Sequence, residues 1–291
     1  MAKHQIAIIF FLIFSGSQIF AQNYSVVKSS FIYKYVDGDS LGMTVYMPAV
    51  PGNLKLPAIV FFFGGGWVGG STDQFKLQAE YFASRGIVSI CPDYRTKKRF
   101  GTSPFESVKD AKSAMRYLKM NGSEMRIDTS KIVAAGGSAG GHLAACTAII
   151  KSVNDESDNL SFSSVPFALV LYNPVVDTGK RGYGQTKMQG REFDISPVHH
   201  ITSDMPPTLI MHGKADTTVP FENAVRFKQV MKQAGNDCKL VGYKKQSHGF
   251  FNRSKSPKCF KKTLRETEKF LEKYELLLGG SWVKKYCKEL S

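Results

Sequence analysis

Cysteine is scarce in this 291-residue sequence and poorly placed for a scaffold, with five residues at positions 91, 146, 238, 259 and 287. An odd number at wide spacing argues against a disulfide framework, and no pair has zinc or iron–sulfur spacing. Cys91 and Cys146 sit in apolar stretches, where thiols pack as small hydrophobes. Cys259 with Cys287 is the one pair kept as a candidate bridge. Long apolar runs are missing too. Past the first 21 residues nothing approaches the roughly 20 apolar residues that span a bilayer, so no stable membrane insertion is expected. There is no internal repeat and no low-complexity tract. Acidic residues are few, 24 Asp and Glu against 39 Lys and Arg, for a formal net charge of +15. From residue 251 onward, eleven Lys or Arg face five Glu. Such a field can attract nucleic acid, a membrane surface or an acidic polysaccharide. No nucleic-acid motif is present, and the excess reads first as solvated surface charge.

The N-terminus has a separate logic. Lys3 and His4 precede the apolar run Ile6 to Phe14. Ser15, Gly16 and Ser17 break that run, and Ala21 offers a small residue for cleavage. This is the layout of a secretory signal peptide over 1–21. It predicts a secreted or periplasmic protein with one catalytic domain over 22–291.

That remainder alternates between strand and helix patterns. Residues 24–47 read as a β-hairpin with Asp37-Gly38 at its turn. Continuous apolar runs at Ala58–Phe63, Ile87–Cys91, Ile132–Ala135, Phe167–Tyr172, Thr208–His212 and Leu240–Tyr243 suit buried parallel strands. Between them lie helical patterns near 74–85, 105–118, 139–150 and 224–234, and a charged helix near 260–277 ends the series. This alternation predicts an α/β fold, a mostly parallel central sheet with helices on both faces. Residues 177–200 break the rhythm and read as a small lid-like insertion.

The strongest local signal is Gly136-Gly137-Ser138-Ala139-Gly140, a G-x-S-x-G sequence between a strand and a helix. A sharp turn there strains the serine backbone and exposes its hydroxyl. A serine hydroxyl is a weak nucleophile and needs a base within hydrogen-bond reach. In this chain order the acid and the histidine come later. Asp216 follows the strand ending at His212, and His248 follows the last strand. Both lie beyond strand C-terminal ends, where sites form in parallel sheets. Ser138, Asp216 and His248 are therefore the expected catalytic residues, with Asp177 as the alternative acid. His142, His199, His200 and His212 are the rival histidines. They are set aside by position, His142 as a packing residue and His199 and His200 as surface or substrate-contacting groups in the lid-like segment. A tetrahedral intermediate also needs donors for its oxyanion. The glycines of Phe63-Gly64-Gly65-Gly66-Trp67 and the amide of Ala139 are in position to supply them. No Lys-Ser or Lys-Thr follows those glycines, so a phosphate-binding loop is not expected.

These motifs, together with Gly141-His142-Leu143-Ala144, His212-Gly213-Lys214-Ala215-Asp216, Ser247-His248-Gly249-Phe250 and Cys91-Pro92-Asp93-Tyr94-Arg95, resemble the α/β-hydrolase esterases. The likeness is to their hormone-sensitive-lipase-like and bacterial carbohydrate-esterase branches. It runs from about residue 30 to 275 with every motif in order. The resemblance implies that Gly65 and Gly66 join Ala139 as oxyanion donors and that no cofactor or metal is needed. One residue departs from the pattern: Phe63 stands where the family usually has His. Gly137 stands where many lipases have Glu or Asp, as it often does in the secreted carbohydrate esterases of this group. Export and a short lid point to a short acyl group, acetyl first, on a polysaccharide. Trp67 and Tyr183 are candidate rings for stacking on sugar, whereas Tyr94 is assigned to the core. Two rival readings stay open: a secreted serine peptidase of the same fold, and a non-catalytic carbohydrate-binding protein on that scaffold. Oligomeric state is not legible.

Overall fold

A computed structural model describes residues 23–36 and 38–290 of the chain. The expected leader and Asp37 lie outside them. Eight strands form one sheet: β1 (Val26–Val36), β2 (Asp39–Pro48), β3 (Leu56–Phe62), β4 (Val88–Pro92), β5 (Ile127–Gly137), β6 (Ala168–Tyr172), β7 (Thr208–Gly213) and β8 (Cys238–Tyr243). Their order is β1-β2-β4-β3-β5-β6-β7-β8. The β1–β2 hairpin and the β2–β4 pair are antiparallel, and every later pairing is parallel. This is the mostly parallel sheet that the alternating pattern required.

Helices cover both faces. On one side α3 (Pro104–Met120), α4 (Ala139–Ile149) and α5 (Phe221–Gln233) pack against Ala58, Val60, Phe62, Leu169 and Leu171. On the other, α1 (Lys76–Ser84) and α6 (Pro257–Lys273) pack against Ile59, Phe61, Val170 and Leu209. Alternate residues of one strand thus feed opposite layers, because successive strand side chains point to opposite faces. Two short helices, α2 (Lys97–Phe100) and α7 (Val283–Glu289), have no apolar periodicity in the sequence and were not expected.

Element starts have local causes. At α3, Ser103 and Glu106 form a reciprocal capping box and Pro104 occupies the first turn; such a cap contributes about 1 kcal/mol. Strand β5 begins five residues earlier than the apolar run Ile132–Ala135. Its first half is polar and half-exposed, and Ile127 pairs with Leu56. Arg95 makes paired hydrogen bonds to Asp110, and Lys34 joins Asp110 and Asp155 at 2.8 and 2.6 Å. That buried charge cluster ties β1 to α3. Cys259 is a free thiol buried in α6, so the bridge to Cys287 considered from sequence is not formed.

Candidate active site

Ser138 sits between β5 and α4 with φ 55° and ψ −119°. Non-glycine residues hold such a conformation only where the surroundings enforce it. The enforcement is visible on both sides of the turn. The Ser138 amide donates to the Tyr172 carbonyl at 2.9 Å, and its carbonyl accepts from His142 and Val175. Gly140 permits the crossing, since a Cβ there would lie 2.0 Å from the Phe62 carbonyl oxygen. At Gly137, where many lipases have an acid, a Cβ would lie 2.4 Å from the Phe251 ring. Phe251 fills the space that an acidic side chain would need.

The structure brings Ser138, His248 and Asp216 together, although 110 positions separate Ser138 from His248 in the chain. His248 Nε2 lies 2.9 Å from Ser138 Oγ, and its Nδ1 lies 2.7 Å from Asp216 Oδ2. A carboxylate only accepts, so Nδ1 carries the proton and Nε2 is left to receive the serine hydroxyl. The Asp216 side chain is fully buried. Its Oδ1 accepts from the amides of Thr218 and Val219, both at 2.9 Å, and Oδ2 also lies 3.2 Å from His212 Nε2. Burial alone would raise its pKa. The bonds from His212, His248 and the Val219 amide outweigh burial and hold the carboxyl below the ordinary carboxylate range.

Asp177, the alternative acid, is engaged elsewhere. It accepts from Arg226 at 2.7 Å and from the Gly179 amide. His199 bonds Ser196 and Arg226, and His200 bonds the Phe193 carbonyl. His142 is wholly buried, its Nε2 donating to the Ile195 carbonyl at 2.6 Å. Burial drives its pKa down to about 4, against the opposing pull of that carbonyl. In the unfolded chain a histidine titrates near 6.5 (roughly). Below that pH the unfolded state takes up a proton the native state refuses, so stability falls with acidification until the native ring titrates near 4. The expected slope is up to about 1.4 kcal/mol per pH unit from this residue. Urea unfolding at pH 7, 6 and 5 checks it: His142→Gln should flatten the dependence, and an unchanged slope would assign it to other groups.

The loop after β3 carries the remaining expected residues. The amides of Gly65 and Gly66 donate to no acceptor among the described residues. Ala139 opens α4, where first-turn amides lack intrahelical partners. Gly65 has φ 135°, and a Cβ there would meet the Gly69 carbonyl oxygen at 1.9 Å. The loop is braced along its length. The Gly64 amide donates to Gln74 at 2.6 Å, and the Trp67 and Val68 carbonyls accept from Lys97 and Lys98 of α2. Phe63 stacks on Tyr94 with ring centroids 4.0 Å apart, and the Tyr94 hydroxyl donates to the Phe63 carbonyl. The ring therefore supplies the bracing that the absent histidine would give.

Trp67 requires a correction. It is 1 % exposed, edge-on to His142, with Tyr183 and Lys187 packed near its ring. It has no open face for a sugar. Tyr183 is half-buried and receives Lys187 on its hydroxyl. The lid-like segment is pinned rather than loose, through Asp177 to Arg226, Ile195 to His142 and Lys187 to the Gly66 carbonyl. Sequence reasoning missed three supports. His212 donates to Asp216, Gln74 holds Gly64, and Asn173 accepts from the Gly249 amide beside His248. Only His212 left a trace, as a histidine four residues before the acid.

Comparison with known proteins agrees with this geometry. Residues 43–189 and 184–231 match the BD-FAE family. A probable isoprenylcysteine alpha-carbonyl methylesterase, ICMEL1 of Arabidopsis thaliana, is 28% identical over 246 residues, 76% of this chain and 51% of its own. The probable carboxylic ester hydrolase LipM of Mycobacterium tuberculosis is 29% identical over 198 residues, 61% of this chain and 45% of its own. The chain spans about half the length of the curated relatives it matches. Among solved structures, Thermogutta terrifontis esterase 2 phosphoramylated by tabun superposes with a TM-score of 0.84 at 40% identity, covering 87% of this chain and 97% of that one. Its propionate-bound form gives 0.83 with the same identity and coverage. The chain belongs to the BD-FAE family, within the α/β-hydrolase esterases.

Proposed function

We propose that the protein is an exported serine carboxylesterase that removes short acyl groups, acetyl foremost, from a polysaccharide. The observation that carries the hydrolytic chemistry is the hydrogen-bond relay from Asp216 through His248 to Ser138. In this reading His248 Nε2 takes the hydroxyl proton as Ser138 Oγ attacks the ester carbonyl carbon. The carbonyl π pair moves to oxygen, and the oxyanion accepts from the amides of Gly65, Gly66 and Ala139. Collapse expels the alkoxide, which leaves with the proton from His248. Water then repeats the sequence on the acyl-enzyme, its proton passing to His248 and then to Ser138 as the acid leaves. Asp216 fixes the tautomer and stabilises the imidazolium.

The short acyl group is supported by the neighbouring Thermogutta esterase, which has been solved with propionate and with butyrate bound. That esterase is also phosphorylated by paraoxon, a reagent that esterifies activated nucleophiles. Export rests on the pattern of Lys3, Ile6–Phe14 and Ala21. A panel of aryl esters from acetate to octanoate, followed by acetylated polysaccharides, tests the reading. Acetate to butyrate should turn over best, and acetylated glycans should release acetic acid. Preference for octanoate would overturn the acyl assignment, and absence of acetate release from every glycan would overturn the polysaccharide assignment.

A further inference from the structure

Beside the loop after β3 lies a cavity of about 380 Å³ that the proposed chemistry does not use. Gly66 and Trp67 form one wall, Thr102 and Ser103 at the start of α3 another, and Lys97 and Lys187 contribute two ammonium groups. No Asp or Glu lines it. Glu106, the nearest acid in sequence, is committed to the α3 cap, where it accepts from both the amide and the hydroxyl of Ser103. Neither lysine forms an ion pair among the described residues. Lys187 donates to the Gly66 carbonyl and the Tyr183 hydroxyl and lies over the Tyr183 and Trp67 rings, so two of its three donors are held in hydrogen bonds.

Two polar atoms of the lining residues are buried with no protein partner: Nε1 of Trp67 and Oγ1 of Thr102. Both ammonium groups can only donate. Two cationic groups with no opposing acid among the lining residues call for an anionic acceptor. A planar carboxylate, which accepts on two oxygens at once, meets that demand. The cavity shares Gly66 with the proposed oxyanion loop, which sets a group held here beside the loop that would bind the ester.

We propose that this cavity is a subsite for a carboxylate carried by the ester substrate, an acidic sugar being the form that also uses the hydroxyl of Thr102. The inference rests on the esterase reading of Ser138 and extends it to substrate class. It makes the protein selective among esters without altering the bond that is broken.

The test compares kcat/KM on four probes: phenyl acetate, phenyl hemisuccinate, and acetylated methyl glucoside and methyl glucuronoside. Phenyl acetate reports the esterase reading alone. If it is not hydrolysed, that reading fails first and separately. The subsite predicts about a tenfold or greater preference for one acidic probe over its neutral counterpart, the size of a charge-assisted hydrogen bond. Preference for the glucuronoside puts the carboxylate on the alcohol, and preference for the hemisuccinate puts it on the acyl group; either supports the subsite. Lys97→Gln should collapse that ratio, as should Thr102→Val to a smaller degree. Lys97 is exposed and makes no side-chain contact that folding needs. Free glucuronate, but not glucose, should bind Ser138→Ala in a calorimetric titration. Equal kcat/KM for acidic and neutral probes in the unaltered protein, or a preference that survives both substitutions, overturns the proposal.

Discussion

Ser138→Ala is expected to lower kcat for phenyl acetate by about a million-fold. The size follows from how the residues act as a unit. Without Oγ there is nothing for His248 Nε2 to deprotonate at 2.9 Å, and no covalent intermediate can form. What remains is the oxyanion loop and substrate binding, which together sustain about 10³–10⁴-fold over water. The substitution removes one oxygen from a turn held by backbone contacts to Tyr172, His142 and Val175, so the fold should be unaffected. Circular dichroism checks the fold, stopped-flow turnover checks the rate, and a fluorophosphonate should label only the unaltered protein. Retention of even one per cent of the activity would move the nucleophile elsewhere and dissolve the proposed mechanism.

The next largest effect is expected from Asp216→Asn, about 10⁴-fold in kcat with KM little changed. Asp216 receives four donors: the amides of Thr218 and Val219 on one oxygen, and His212 and His248 on the other. A carboxamide has only one oxygen. If that oxygen keeps the two amides, its NH2 faces His248 Nδ1 and forces the ring into the tautomer with the proton on Nε2. The serine hydroxyl then loses its acceptor. The native carboxyl also stays ionised below the usual range, so no limb of the kcat/KM pH profile should belong to it. Steady-state kinetics from pH 5 to 9 on both proteins decide the matter. A loss below tenfold would mean that His248 is oriented by something other than Asp216.

Much of this site was legible before any coordinates, and the reasons are local. Ser138, Asp216 and His248 each follow a buried strand whose apolar run is unmistakable, and a parallel sheet collects its strand C-termini at one edge. The glycines around Ser138 and after β3 marked places where backbones nearly touch. What escaped the sequence is what depends on partners far along the chain. Trp67 looked like a platform because glycines precede it, but the packing of His142, Tyr183 and Lys187 encloses it. Gln74, Asn173 and His212 are unremarkable polar residues until the fold sets them against Gly64, Gly249 and Asp216. Helix α7 and the first half of β5 lack an apolar rhythm, so periodicity could not find them. The Cys259–Cys287 pairing failed because sequence spacing carries no information on where a buried thiol faces.

The bracing of the loop after β3 has one more consequence. In bulk solvent, water dipoles must swing round each time negative charge gathers on an ester oxygen, and that swing is much of the barrier. Here Gln74, the Phe63–Tyr94 stack and the first amides of α2 hold the neighbouring peptide units still. In the proposed mechanism the dipoles that greet the new charge are aligned when the chain folds, and the loop would act as a solvent shell already set in the pose that the transition state asks of it.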